Sequence, residues 1–261
     1  MLKHTPRNAE AVRHFNGDQE ESPNLSRVTR WVDGAIFFSF IYHLIHSATT
    51  AAFATYAPLL HQYYKNVTNA LYDAPGPSLT PNRTDTVFPA MSVNFGPNVV
   101  CDLHRDSGNL ANGYCWLLAG GEFDATLGGH LYLEELNLAI EFPAGSSIFF
   151  PSAVIAHANV PIDRENGEVR WSITQYAAGG LFRWVEYGHH TWKALEKFHS
   201  TIASKITEDL EQIWEQGLKL FSTFNSLKQD REEVQQLYDP AVKEFKAAFK
   251  ASDYKGKAKA Y

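Results

Sequence analysis

Cysteine is nearly absent. Cys101 and Cys115 are the whole complement of a 261-residue chain, and their spacing matches no zinc module, so the sequence predicts neither a disulfide framework nor a structural zinc cluster. The opening stretch MLKHTPRNAEAVRHF lacks the apolar core of a secretory signal. Both absences predict an intracellular protein in a reducing compartment, nuclear or cytoplasmic, and leave the sequons at Asn24, Asn66 and Asn82 as incidental. A basic surplus is missing too. Lys and Arg number 23 against 29 Asp and Glu, a formal net charge of -6; this argues against the broad cationic face of non-specific nucleic-acid binders, though not against a local basic groove. Nor is there an unbroken apolar run of about 20 residues, the length a spanning helix needs. GAIFFSFIYHLIHSATTAAFATYAPLL is interrupted by His43, His46 and a Ser/Thr cluster, and reads as buried helices, with no membrane partner. Repeats and low-complexity tracts are also lacking.

What is present is an ordinary globular composition, 44% hydrophobic and 20% charged, enough for a substantial core. Residues 1–30 form a polar segment of mixed charge. Apolar residues then recur at helical spacing to about residue 73, and a proline-rich loop follows to residue 85. From 87 to 187 short segments rich in β-branched and aromatic residues are punctuated by Gly, Pro and Asn, as in an antiparallel sandwich or barrel. Helical spacing returns from 190 onward, and KGKAKAY closes the chain as a basic tail. The expected fold is α+β. It comprises a β-core at 87–187 inside a domain spanning 31–190, N-terminal packing helices, and a helical extension over 191–261.

The chemistry is concentrated in VVCDLHRDSGN, residues 99–109. Val99 and Val100 suit a half-buried strand, and the strand period then sets His104 and Asp106 on one face with Arg105 on the other. A third candidate is His157, isolated in the apolar stretch PSAVIAHANVPI. Two histidines and one carboxylate on a β-scaffold make the facial triad of non-haem Fe(II) oxygenases. DRENGE (163–168) reads as a hairpin turn, which sets Arg170 roughly four residues, about 13 Å, along the hairpin from His157. Arg170, Ser172, Thr174 and Tyr176 share one face of the following strand. An arginine fork suits a carboxylate, such as that of 2-oxoglutarate chelated to iron, and Ser172 adds a hydroxyl on the same face.

The stretches HRDSGN, GGHLYL, FPAGSSIFFPSAVIAHANVPI and RWSITQYAAGGLFRWV resemble the fungal branch of the TET/JBP Fe(II)- and 2-oxoglutarate-dependent dioxygenases. The likeness is dense over about 88–188, loose upstream, and absent from the C-terminal helices. It implies a double-stranded β-helix of jelly-roll or cupin-like form, with His104, Asp106 and His157 as iron ligands and Arg170 as the 2-oxoglutarate anchor. It further implies Asn109, three residues beyond the aspartate, as a substrate contact, and the methyl of 5-methylcytosine or thymine in nucleic acid as the oxidised group. O2 would be the co-substrate. Gly108 stands where the animal enzymes often carry histidine, and their large DNA-binding insertions and cysteine-rich modules are missing.

Two other readings stay open. One keeps the chemistry and moves it to a protein side chain, free nucleoside or small metabolite, which the acidic charge and the missing insertions favour. The other is a non-catalytic β-helix that binds a partner. Asn109 can equally cap the turn after the strand.

Overall fold

The computed structural model describes residues 35–73 and 86–236; the expected polar segment 1–30 and the basic tail lie outside them. Two helices lead into the sheets, α1 (Ala35–Tyr56) and α2 (Pro58–Tyr72). They break at Ala57 because Pro58 has no N–H to continue the first helix but is well suited to open the second. Leu60, His61, Tyr64, Thr68 and Leu71 bury one face of α2. No helix among the described residues is long and apolar enough to cross a membrane.

Seven strands follow: β1 (Ala90–Asn94), β2 (Cys115–Glu122), β3 (Leu131–Leu133), β4 (Leu138–Ile140), β5 (Ser147–Phe150), β6 (His157–Asn159) and β7 (Val169–Tyr176). They make two antiparallel sheets, one ordered β1-β7-β2-β5 and one ordered β4-β3-β6. The four-stranded sheet is buried on both faces. Trp116, Ile173, Met91, Val93 and Phe149 pack against Phe53, Leu60 and Tyr64 of the helices. Cys115, Ala119 and Phe150, on the opposite face, pack against Leu131 and Leu133 of the three-stranded sheet. The layers are therefore helix, large sheet, small sheet. The fold is α+β with two facing antiparallel sheets, and no strand pairing among the described residues closes them into a barrel.

Register fixes which side chains enter the space between the sheets. Ser172 pairs with Ala119 and with Asn94, and Arg170 pairs with Gly121. Cross-strand partners share a face, so Arg170 and Ser172 look from the large sheet toward the small one. Gly121, at φ +128°, is required here, because a Cβ would run into the backbone of Val169.

Two sequence expectations are corrected. Residues 99–103 form no strand; the segment crosses from one sheet to the other, bridging β7 at its start (Asn98 with Arg170) and β6 at its end (His104 with His157). It touches each sheet through isolated bridges and single backbone bonds, such as Asn159 N to Cys101 O at 3.2 Å, too few to make a strand. Likewise β6 and β7 are not a hairpin, since β6 pairs with β3 and β7 with β1 and β2. The turn between them is an inter-sheet corner. There the Asp163 carboxylate accepts from Glu165 N and Asn166 N, while Glu168 accepts from Asp124 N and Asp163 N, both at 2.7 Å.

Three helices follow, α3 (Gly179–Glu186), α4 (Trp192–Phe198) and α5 (Ser200–Leu218), then a helical segment at 227–236. Phe182 of α3 packs on Tyr63 and Tyr64 of α2, and Arg231 Nε donates to Thr55 O at 2.6 Å. The C-terminal helices thus support the N-terminal ones.

His61 meets Phe53 edge-on and leaves Nε2 buried without a partner. Burial, aided by the charge of Lys65, lowers its pKa to about 4. Below pH 6.5 the unfolded chain takes up this proton first, so stability falls as pH drops toward 4. The loss from this group approaches about 3 kcal/mol. Urea unfolding of wild type and His61→Leu at pH 7 and pH 4 is expected to show that difference; parallel losses in both would remove His61 as the cause.

Candidate metal centre

His104 and His157 are brought together by their own backbones. His104 N donates to His157 O at 3.0 Å and His157 N donates to His104 O at 2.9 Å. Such reciprocal bonds make them direct cross-strand neighbours, so both rings leave on one side, with centroids 4.3 Å apart. Asp106 follows two residues later, its N–H fixed to Ser152 O at 2.9 Å. His157 is buried against the edge of Phe150 from the large sheet, while His104 and Asp106 are partly open to solvent. One ligand atom from each of the three residues lies within 4.8 Å of the others.

The protonation pattern follows from the second nitrogen of each ring. His104 Nδ1 lies 2.6 Å from Asp102 O, and His157 Nδ1 lies 3.0 Å from Ile155 O. A carbonyl only accepts, so Nδ1 carries the proton in each neutral ring and Nε2 presents a lone pair. Those lone pairs face Asp106, at 3.5 Å from Oδ1 for His104 and 3.9 Å from Oδ2 for His157. Acceptors thus face acceptors across one small space, which requires a cation, either a proton or a metal ion.

The titration behaviour agrees. The hydrogen bond to Asp106 raises His104 above the usual histidine range. Burial by itself would raise the Asp106 carboxyl, but the bond from His104, the nearby His157 and the Ser152 hydroxyl outweigh it and hold the group low. Burial lowers His157. A low carboxyl and a low histidine keep two of the three ligands deprotonated at neutral pH, as metal binding requires. The donor set of two imidazole nitrogens and one carboxylate fits a divalent iron with open positions.

Arg170 is a candidate anion site. It is 2% exposed, Nη1 donates to Val99 O at 3.3 Å, and Nε is buried with no partner. No described carboxylate forms an ion pair with it, although a buried guanidinium is costly to leave without a counter-charge. Ser172, equally buried, accepts from Asn94 Nδ2 at 3.1 Å. Asn109 lies beside the cluster: its Nδ2 donates toward Asp106 Oδ2 at 3.4 Å and Ser152 Oγ at 3.2 Å.

Three supporting residues escaped the sequence reading. Asn159 is a buried clip, accepting from Cys101 N at 2.7 Å and donating to Val99 O at 2.8 Å. It stands two residues after His157, so strand parity could have found it. Ser152 is the only polar side chain between Phe149 and His157, a weaker signal. Glu135, which pairs with Arg105 and accepts from Ala156 N at 2.7 Å, sits in a turn and gave no signal.

No protein-family model matches the chain, and no curated protein matches its sequence. Among solved structures, NgTET1 in complex with 5mC DNA aligns with a TM-score of 0.36 and 17% identity, over 46% of this chain and 41% of that one. At that level the likeness assigns neither family nor activity.

Asp106→Ala and His157→Ala are each expected to abolish stoichiometric Fe(II) binding in anaerobic equilibrium dialysis while cooperative unfolding persists. Wild-type affinity in either variant would exclude this ligand set.

Proposed function

We propose that the chain is an Fe(II)- and 2-oxoglutarate-dependent dioxygenase. One observation carries the reading: one ligand atom from each of His104, Asp106 and His157 converges on a single point, while on the facing sheet the buried Arg170 forms no ion pair with any described carboxylate. His104, Asp106 and His157 would hold the iron, and Arg170 with Ser172 would hold the far carboxylate of 2-oxoglutarate. Iron with 2-oxoglutarate and O2, when bound there, supplies oxidation of a substrate C–H, with release of succinate and CO2.

The protein's share is positioning. Asp106 brings negative charge to the cation, and the carbonyls of Asp102 and Ile155 hold both imidazoles in the tautomer that binds metal. The planar fork of Arg170 is matched to a carboxylate, and its burial strengthens that pairing by excluding water. Phe150 against His157 keeps the inner side of the site apolar.

For the substrate, the resemblance over residues 88–188 extends the proposal to the methyl of 5-methylcytosine or thymine. Charge placement favours a second reading. Lysine is absent between Lys65 and Lys193, Arg105 is paired with Glu135, and Arg170 is buried. Few cations of the β-region are left for a phosphate backbone, which favours a substrate without one, such as a protein side chain, a free nucleoside or a small metabolite.

Arg170→Ala is expected to raise the 2-oxoglutarate concentration needed for half-maximal succinate formation on the order of 100-fold, the loss of a charge-assisted bidentate pair. Arg170→Lys should recover only part of it, because an ammonium lacks the fork. An unchanged dependence on 2-oxoglutarate in Arg170→Ala would remove the anchor.

A further inference from the structure

Asp106 is clasped from behind by one buried turn. Ser152 is 1% exposed, and both its backbone and its side chain serve the aspartate. Its carbonyl accepts from Asp106 N at 2.9 Å. Its hydroxyl borders the Asp106 carboxylate and the buried Cys115 thiol, and accepts from Asn109 Nδ2 at 3.2 Å. Ser152 Oγ thereby holds the Asn109 amide, whose other donor contact is Asp106 Oδ2 at 3.4 Å. Asn109 completes the turn, its N–H bonding Asp106 O at 2.8 Å.

The turn is itself held to the large sheet. Leu110 N donates to Ala177 O at 2.9 Å and Gly179 N donates to Gly108 O at 3.0 Å, just beyond the end of β7. Residues 106–110 therefore cannot move without breaking several backbone bonds. The Asn109 amide, tied to this segment, points its donor inward at Asp106 and Ser152.

We propose that Ser152 and Asn109 are positioning residues that orient the Asp106 carboxylate for metal binding. This rests on the metal-centre reading above. The carboxylate can otherwise rotate about its last torsion, presenting either oxygen or both. Asn109 Nδ2 lies on Oδ2, while Oδ1 faces His104 Nε2. The bracket makes the two oxygens unequal and leaves Oδ1 as the one without an amide donor. Removing either residue frees the rotation and deprives a partly buried charge of a donor, which lowers affinity and alters how the carboxylate coordinates.

The test uses Co(II) as a spectroscopic probe in wild type, Ser152→Ala, Asn109→Ala and the double variant. Each single change is expected to weaken Co(II) binding about 10-fold or more, as loss of an outer-shell partner typically does, and to shift the visible absorption of the bound ion. The double variant should lose less than the product of the single losses, because the two residues share one hydrogen bond. Thermal unfolding of the metal-free variants reports whether folding is intact; should Ser152→Ala fail to fold, Asn109→Ala alone decides. Wild-type affinity and spectrum in Asn109→Ala would overturn the proposal and return Asn109 to substrate contact or turn cap. A wild type that binds no Co(II) would instead bring down the metal-centre reading, and the bracket with it.

Discussion

Two imidazole nitrogens and a carboxylate, all acceptors, are held within 4.8 Å of one another. Left alone they repel, so much of the surrounding structure acts to keep them there. Reciprocal backbone bonds pair the two histidines, carbonyls occupy their other nitrogens, and Ser152 takes the N–H of the aspartate. On the outer side, Arg105 ties its segment to Glu135 and to Val154 O, and Glu135 reaches Ala156 N. The segments that carry the three residues are thus fastened to one another on both sides of the cluster.

The layered core makes this possible. A small three-stranded sheet has little area to stabilise itself, but here its inner face packs against a four-stranded sheet whose own back is covered by helices. Rigidity passes inward from the helix layer. Phe53 stacks with Phe88 and Phe149, Phe149 alternates along β5 with Phe150, and Phe150 meets His157.

Local periodicity carried most of what was legible in the sequence. All seven strands fall within segments whose alternation and turn residues announce them, and the shared face of Arg170 and Ser172 follows from a period of two. Nonlocal geometry was not legible. Val99 and Val100 look like strand residues, yet their segment crosses between sheets, and only the tertiary positions of Arg170 and His157 dictate that path. DRENGE has good hairpin chemistry, but turn residues do not say whether the strands they join will pair. Asn109 illustrates a further limit: spacing places an amide near the aspartate, whereas its direction depends on Ser152, 43 positions away.

Because the histidines and Arg170 stand on opposite sheets, their separation is not counted in residues along a strand. It is a layer spacing, about 10 Å between stacked sheets, maintained by the side chains that fill the gap. Ala119, fully buried beside Ser172, and Leu133, beside His157, act as shims in this caliper. Swelling or shrinking them would reset the span between the histidines and Arg170 without touching either.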